Sequence, residues 1–188
     1  YDGVMNYGLT KACLDLLAFG RIDAAGFASR LCLLLWRNIG PACDMMFNLL
    51  DSHDTERFLT QAGGDKRREA LALAVMFFFP GMPMVYYGDE IGMEGGYDPD
   101  CRRCFRWDED SWDMELYGLV KRLAALRRGD CLSRGGCHIR EQGGVVEIER
   151  YTETRSITLH INPSETARSL SDGTAIEAMG IVIKEKEM

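Results

Sequence analysis

The sequence predicts an α/β fold with parallel strands, followed by a small all-β region. Two short apolar runs, Met45–Leu50 and Met82–Tyr87, are separated by residues 66–79, whose apolar positions have helical spacing. A strand, a helix and a second strand in that order are typical of a parallel sheet with crossover helices. After Gly129 the apolar residues alternate with polar ones instead, which indicates antiparallel strands.

The N-terminal segment predicts two helices. Residues 1–7 form a short mixed segment that is compatible with either a loop or the end of a strand. The apolar residues of Leu9–Phe19 have helical spacing, and Gly20 is expected to end that helix. Asp23 is the expected N-cap of a second helix, which runs to about Asn38.

The run Met45–Leu50 ends in a cluster of polar residues. His53 and Asp54 are adjacent there, and Glu56 and Arg57 follow directly. A short apolar run of this kind indicates a strand that is buried on both faces. Polar side chains at the end of such a strand lie where α/β folds carry their chemistry. The alternative is a solvated turn that happens to carry a His–Asp pair.

The second strand of the predicted sheet also has a polar end. Asp65 is the expected N-cap of the intervening helix, and the polar end of the second strand is Gly88-Asp89-Glu90. The following segment, Gly92–Trp107, is rich in glycine and charge and predicts a long loop. Loops of this length in compact domains are usually functional or disordered. Because it follows the polar end of a strand, we expect this loop to face a substrate.

An amphipathic helix and a set of antiparallel strands complete the chain. Either Ser111 or Asp110 is expected to cap the helix, which runs to Arg128 with acids near its start and bases near its end, as the helix dipole favours. A domain boundary is expected near residue 129. The strands predicted beyond it are a hairpin of residues 145–151 and 156–161, and a last strand of residues 181–183.

Composition excludes several classes of partner. Lys and Arg number 22 and Asp and Glu number 29, which gives a net charge of −7 and argues against nucleic acid or an anionic membrane. No apolar run approaches the ~20 residues that a membrane span requires. The seven cysteines suggest thiols in a reducing compartment, so we expect a cytoplasmic protein. A zinc site built on Cys101, Cys104, Cys131 and Cys137 is an alternative, although only the first two form a CxxC pair.

Several linked motifs resemble the α-amylase superfamily of glycoside hydrolases. SHDTERF at residues 52–58 and PGMPMVYYGDEIGM at residues 80–93 resemble the blocks around strands 7 and 8 of that family's barrel. The most similar pattern is that of the neopullulanase, cyclomaltodextrinase and maltogenic amylase group. There the same blocks precede a GG-DP--CR loop and a WD dipeptide, found here at Gly95–Arg103 and Trp107-Asp108.

The resemblance implies a partial barrel. Residues 1–7 resemble the block of strand 6, so residues 1–128 would contain about strands 6–8 of a TIM (β/α)8 barrel with their helices. Residues 129–188 would form the family's C-terminal β-sandwich-like domain. The chain would then be the C-terminal part of an α-glucan hydrolase. A partial barrel exposes strand edges and apolar faces, which favours homodimerisation or aggregation.

The resemblance also implies a role for individual residues. Asp54 matches the carboxylate that stabilises the transition state, and His53 matches the histidine that donates to the same sugar. Asp98 and Arg102 match positions that line the substrate cleft, although a surface ion pair explains them equally well. Asn6 and Tyr7 are expected at the rim of the cleft. Three further residues are expected to orient the end of the strand and the site residues without contacting the substrate: Glu56, Arg57 and Glu90.

The family's nucleophile and acid/base carboxylates lie upstream of the matched segment. The isolated chain is therefore expected to be inactive, whereas the parent protein would be a retaining glycosidase that acts on α-1,4 links of cyclodextrins, maltooligosaccharides or pullulan. No cofactor is expected, although calcium remains open for the parent protein. One alternative is a non-catalytic carbohydrate-binding or interaction module. The other is the small zinc-binding domain.

Overall fold

A computed structural model describes residues 3–37 and 40–187. Its two main layers are a set of helices around a short parallel sheet and a four-stranded antiparallel sheet. The α-helices are α1 (Tyr7–Cys13), α2 (Ala24–Arg37), α3 (Gly40–Asp44), α4 (Phe58–Gln61), α5 (Lys66–Phe78), α6 (Met114–Leu126) and α7 (Asp130–Arg134). The strands are β1 (Phe47–Asn48), β2 (Met82–Pro83), β3 (Gly136–Gln142), β4 (Val145–Tyr151), β5 (Arg155–Ile161), β6 (Arg168–Ser169), β7 (Ala175–Ile176) and β8 (Ile181–Glu187).

The two N-terminal helices are confirmed. The first begins at Tyr7, where Oδ1 of Asn6 accepts a hydrogen bond from the Leu9 amide, and it continues beyond α1 as a π-helical turn over Leu14–Ala18. Asp23 precedes α2, and its Oδ1 accepts from the amide of Gly26 at 2.8 Å. The expected end of α2 near Asn38 lies outside the described residues, as do the first two residues of the chain.

The parallel sheet is shorter than the sequence predicts. β1 pairs in parallel with β2 through Phe47↔Met82 and Asn48↔Pro83, and Met5 forms a single parallel bridge to Phe47 on the other side. The prediction of a strand buried on both faces is wrong, because Phe47 is 42% exposed. Asn48, whose side chain points to the opposite face of β1, is 0% exposed, so one face of the strand is buried and the other is not.

Helix α5 crosses between the two parallel strands, as predicted. The side chain of Asp65 caps it by accepting from the amide of Arg67 at 3.0 Å. From Leu71 onward every residue of the helix is buried, so its core face is wider than the predicted stripe. A helix that is apolar on all sides lies between layers rather than at the surface.

The cap of helix α6 differs from the prediction. Asp113, and neither Ser111 nor Asp110, accepts hydrogen bonds at its N-terminus, from the amides of Glu115 and Leu116. The two predicted residues lie in a separate 3₁₀ turn that Asp108 caps. Several nearby acidic residues could each serve as the N-cap. The N-cap is the one whose side chain can accept from the free backbone amides two and three residues later in the chain.

The antiparallel sheet has the strand order β3-β4-β5-β8, which confirms the predicted hairpin and last strand. β3 was not predicted, yet it pairs with β4 along its whole length. The region after residue 129 also contains one short helix, α7, and is therefore not purely β; Leu132 packs this helix into the core. β6 and β7 form a separate two-stranded pair.

The helices and the antiparallel sheet share one hydrophobic core. Its members come from both sides of residue 129, so a single cluster joins α5 and α6 to β4 and β5. Polar contacts cross the same boundary: Arg150 of β4 is buried and donates to the carbonyl oxygen of Phe78 at the end of α5. The domain boundary near residue 129 stays a prediction.

Candidate active site

A tight turn follows β1 and carries the two adjacent residues of the predicted site. The amide of Ser52 donates to Oγ1 of Thr55 at 2.9 Å, and the amide of Asp54 donates to Oγ of Ser52 at 3.2 Å. Serine and threonine favour such turns because their hydroxyls bond to nearby backbone amides. The turn presents the side chains of His53 and Asp54 to solvent, each more than 60% exposed.

Four predicted residues meet at this turn. Nε2 of His53 lies 3.2 Å from Oδ2 of Asp54, and Nη2 of Arg102 lies 3.3 Å from Oδ1 of the same carboxylate. Nε of Arg102 lies 2.7 Å from Oδ1 of Asp98 and also donates to the backbone oxygen of His53 at 3.0 Å. The guanidinium therefore ties the long loop to the turn and orients the Asp54 carboxylate.

The predicted rim residues lie on the other side of β1. Asn6 is buried; its amide nitrogen donates to Oδ1 of Asn48 at 2.9 Å, while its own Oδ1 caps α1. Tyr7 is the first residue of that helix and is about half exposed. The contacts of Asn6 join α1 to the strand. A substrate contact for either residue stays a prediction.

The residues predicted to support the site have three different environments. Arg57 is fully buried and pairs with Asp89, Nη1 to Oδ1 at 2.9 Å. Oε2 of Glu90 accepts from the amide of Gly88 at 2.8 Å, which stabilises a backbone turn with a φ of +96°. The backbone oxygen of Glu56 accepts from Nε2 of Gln61 at 3.2 Å.

The long loop is fixed to the rest of the site by hydrogen bonds at both of its ends. The amide of Gly95 donates to Oγ1 of Thr60 at 2.8 Å, and its carbonyl accepts from the amide of Arg57 at 2.9 Å. Further along, the hydroxyl of Tyr87 donates to the carbonyl of Arg103 at 2.8 Å. These bonds hold the loop segment that carries Asp98 and Arg102 against the turn.

Comparison with known proteins shows the family of this chain. The family model "Alpha amylase, catalytic domain" matches residues 1–114. The chain belongs to the α-amylase family. Its curated relatives in this family include the cyclomaltodextrinase of Thermoanaerobacter pseudethanolicus, which is 38% identical over 190 residues, and neopullulanase 2 of Thermoactinomyces vulgaris, which is 37% identical over 166 residues.

Solved structures of α-amylase-family enzymes superpose on the whole chain. The ligand-free cyclic α-maltosyl-(1→6)-maltose hydrolase of Arthrobacter globiformis matches with a TM-score of 0.95 at 30% identity and covers 100% of this chain. The match covers 45% of that enzyme. The matched regions of the two curated relatives cover 100% and 86% of this chain, but only 33% and 28% of the relatives. The chain thus spans about a third of their length.

The metal alternative lacks support from the geometry. Cys101 donates its thiol to the backbone oxygen of His53, and Cys131 donates to that of Arg155. Within residues 3–37 and 40–187, no group of three or more histidine, cysteine or acidic side chains has an arrangement that holds a metal ion.

Every helix in the same ranges is too short or too polar to cross a lipid bilayer.

Three buried acids behind the turn were not predicted. Asp51, Glu69 and Asp89 are each at most 2% exposed and surround Arg57. Burial raises the pKa of all three carboxyls, well above the ordinary range for Glu69 and Asp89. The sequence does contain one indication of these residues: Glu69 lies on the apolar helix α5, and Asp51 comes directly after an apolar strand. Acids at such positions are rarely buried without a partner, so a partner could have been sought for each of them.

Proposed function

We propose that the chain is the C-terminal part of a retaining α-glucan-acting glycoside hydrolase, and that Asp54 stabilises the transition state of that enzyme. The proposed substrates are α-1,4-linked: cyclodextrins, maltooligosaccharides or pullulan. The observation that carries the proposal is the grouping of His53, Asp54, Asp98 and Arg102 at the end of β1. Relatives named cyclomaltodextrinase, neopullulanase and maltogenic amylase support the substrate class.

The chemistry of Asp54 suits a role in stabilising charge. An oxocarbenium-like transition state carries positive charge on the sugar ring, and a fixed carboxylate stabilises it while accepting hydrogen bonds from the ring hydroxyls. Asp54 is exposed, so its carboxylate can reach a sugar, and Arg102 and His53 restrict its orientation. His53 supplies a donor to the same sugar.

The isolated chain is proposed to be inactive. Retaining hydrolysis requires a nucleophile and an acid/base ~5–5.5 Å apart on either side of the scissile bond. Glu90, one of the acids near the carboxyl ends of the strands, accepts from the amide of Gly88 and lies in a backbone turn. The nucleophile and the acid/base are therefore proposed to lie in the part of the parent enzyme that precedes this chain.

Two further properties of the parent enzyme, and one of the 188-residue chain, are part of the proposal. It is cytoplasmic, and its reaction needs no organic cofactor, since carboxylates carry out glycoside hydrolysis. The 188-residue chain forms homodimers or aggregates through the open side of the parallel sheet. Exposed apolar residues at that edge support this: Val4, Met45 and Phe47.

The decisive experiment is a chimera with the cyclomaltodextrinase of Thermoanaerobacter pseudethanolicus. This chain replaces the matched third of that enzyme, and release of reducing sugar from β-cyclodextrin is measured. We expect an active chimera that loses at least ~10²-fold in kcat/KM in the Asp54→Asn variant. The matched control is Asp110→Asn, an exposed aspartate in the 3₁₀ turn Glu109–Ser111. The 188-residue chain alone is expected to release no sugar.

Each other outcome contradicts a stated part of the proposal. Sugar release by the chain alone, lost in Asp54→Asn, means that it assembles a complete site and that the upstream assignment of the nucleophile is wrong. A folded chimera that binds β-cyclodextrin without turnover favours the non-catalytic carbohydrate-binding module. Full activity of the Asp54→Asn chimera removes the role given to Asp54.

A further inference from the structure

Four buried ionisable side chains form a cluster behind the candidate site. Arg57 pairs with Asp89, and Asp51 accepts from the amide of Phe58 at 2.7 Å through Oδ2. Asp51 and Asp89 are within hydrogen-bond reach of each other. Glu69 completes the cluster from helix α5. All four side chains are buried, and none is more than 2% exposed.

The cluster has three acids and one basic group, Arg57. If all three carboxyls were ionised, Arg57 would leave two uncompensated negative charges in the interior, which is strongly unfavourable. Two further observations indicate that these acids are not all ionised. Neither oxygen of Glu69 has a hydrogen-bond partner in the described parts of the chain, and Oδ1 of Asp51 has none either. An Asp–Asp contact is attractive only when one of the two carboxyls carries a proton.

We propose that Asp51 and Asp89 share one proton beside Arg57, that Glu69 retains its own, and that this buried cluster positions the turn carrying His53 and Asp54. The cluster then contains one positive and one negative charge and is neutral overall. The proton on the Asp51–Asp89 pair supplies the donor that their contact lacks. Asp51, Glu69 and Asp89 act through the turn and do not touch a substrate, so they are positioning residues.

The buried cluster contacts the backbone on both sides of the His53–Asp54 turn. Asp51 precedes His53 and Asp54, and its carboxylate holds the amide of Phe58, which lies after them. Arg57 donates its backbone amide to the long loop and places its guanidinium 4.5 Å from the ring centroid of Tyr86. Displacement of either side chain would therefore shift the geometry of the His53–Asp54 turn.

The charged groups around the cluster are few. Asp113 and Lys66, which pair with each other at 2.6 Å, face Glu69 from the ends of α6 and α5, and their charges oppose one another. Asp89 faces Asp51, Glu69 and Arg57. Because burial is the largest cause, the pKa values of Glu69 and Asp89 lie well above the ordinary carboxyl range. Raising the pH through those values adds negative charge without a partner.

The test is an NMR titration of the 188-residue chain. Carboxyl ¹³C shifts of Asp51, Glu69 and Asp89 report protonation, and hydrogen exchange of the Asp54 and Phe58 amides reports the turn. We expect the Glu69 carboxyl, and one proton of the Asp51–Asp89 pair, to titrate above the ordinary carboxyl range. Exchange of both amides should accelerate over the same pH interval, after correction for the intrinsic pH dependence of exchange.

Neutral isosteres separate positioning from folding. Glu69→Gln and Asp89→Asn should leave both amides as protected at neutral pH as in the unmodified chain, and the double variant should abolish the acceleration at high pH. Asp89→Ala should increase exchange of the Phe58 amide about tenfold at neutral pH. Glu153→Gln, in an exposed hairpin turn, is the matched control and should change nothing.

The proposal fails if the three carboxyls titrate in the ordinary range, or if the acceleration at high pH survives in the double variant. It also fails if Asp89→Asn loses protection as Asp89→Ala does, because Asp89 would then be required as an anion. If Asp89→Ala does not fold, the titration and the two isosteres still decide. The role of the turn as part of an active site rests on the proposed function. Because the titration and the exchange measurements use no substrate, the proposed cluster and the proposed function can fail independently.

Discussion

Arg102 and Asp54 are 48 residues apart, and Nη2 of the arginine lies 3.3 Å from Oδ1 of the aspartate. The same guanidinium contacts Asp98 through Nε at 2.7 Å and the backbone oxygen of His53 at 3.0 Å. One side chain thus connects two loops that follow neighbouring parallel strands. Both charged partners are largely exposed, so these pairs contribute little to stability and mainly restrict orientation.

Replacement of Arg102 by lysine should reduce activity while leaving the fold intact. A lysine ammonium cannot hold two carboxylates and a carbonyl in one plane as a guanidinium does. In the chimera we expect kcat/KM on β-cyclodextrin to fall about tenfold or more, with a change in unfolding free energy below ~1 kcal/mol. Arg106→Lys, on the same loop but with a guanidinium that donates to the backbone oxygens of Ile91 and Gly92, is the control for loop effects.

Glu69→Gln should stabilise the chain at high pH. The folded-state pKa of Glu69 is raised by burial, so its contribution to stability is fully present below the unfolded-state pKa and is lost as the pH rises. The neutral variant removes this loss. Urea unfolding at about pH 4, below the unfolded-state pKa, should give similar free energies for the two chains, whereas at about pH 9 the variant should be more stable by at least ~1 kcal/mol. A variant that gains no stability relative to the unmodified chain between the lower and the higher pH would contradict the raised pKa of Glu69.

The order and type of most elements could be predicted from the sequence, because long periodic segments determine them. Helix α5 and the β4–β5 hairpin are examples. The length of β1 and β2 could not be predicted, since it depends on how many neighbours pair with them. β3 was missed because only Cys137 and Ile139 are apolar in its seven residues, and pairing with β4 stabilises it instead.

The exposed half of the candidate site could be predicted and the buried half could not. His53 and Asp54 lie in a motif of adjacent residues, so their sequence neighbourhood was informative. Asp51, Glu69 and Asp89 come from three separate segments, and only the folded chain brings them to Arg57. Periodicity assigns an acid to the surface by default, whereas burial of these acids depends on contacts between segments that are distant in sequence.

Arg150→Met should destabilise the chain strongly. Its guanidinium is buried and donates to the carbonyl oxygens of Phe78, Gly135 and Gly136. Burial lowers the pKa of this guanidinium, yet it stays charged at neutral pH. Methionine fills similar volume but leaves three carbonyls without a donor, so we expect a loss of ~3 kcal/mol in urea unfolding. Arg155→Met, largely exposed at the start of β5, should change stability by less than ~0.5 kcal/mol.

Two glycine-to-alanine changes should have opposite effects. Gly81 precedes β2 with a φ of +120°, and a Cβ there would lie 2.7 Å from the carbonyl oxygen of Met46. Alanine must therefore separate β1 from β2 or strain the backbone, at a cost of at least ~2 kcal/mol. Gly118 lies on the exposed face of α6, and a Cβ there would have no neighbour within 4 Å. Alanine at that position should stabilise the helix by ~0.5–1 kcal/mol.

Thermal and urea unfolding of the two variants measures both expected changes in stability, the loss for Gly81→Ala and the gain for Gly118→Ala. Gly81→Ala should also increase hydrogen exchange of the Met82 and Met84 amides, which donate to the oxygens of Met46 and Asn48 at 2.7 Å each. Gly118→Ala should leave those amides unchanged while raising the unfolding midpoint. If Gly81→Ala were tolerated with full protection of both amides, the close approach of Gly81 to the carbonyl oxygen of Met46 would be contradicted.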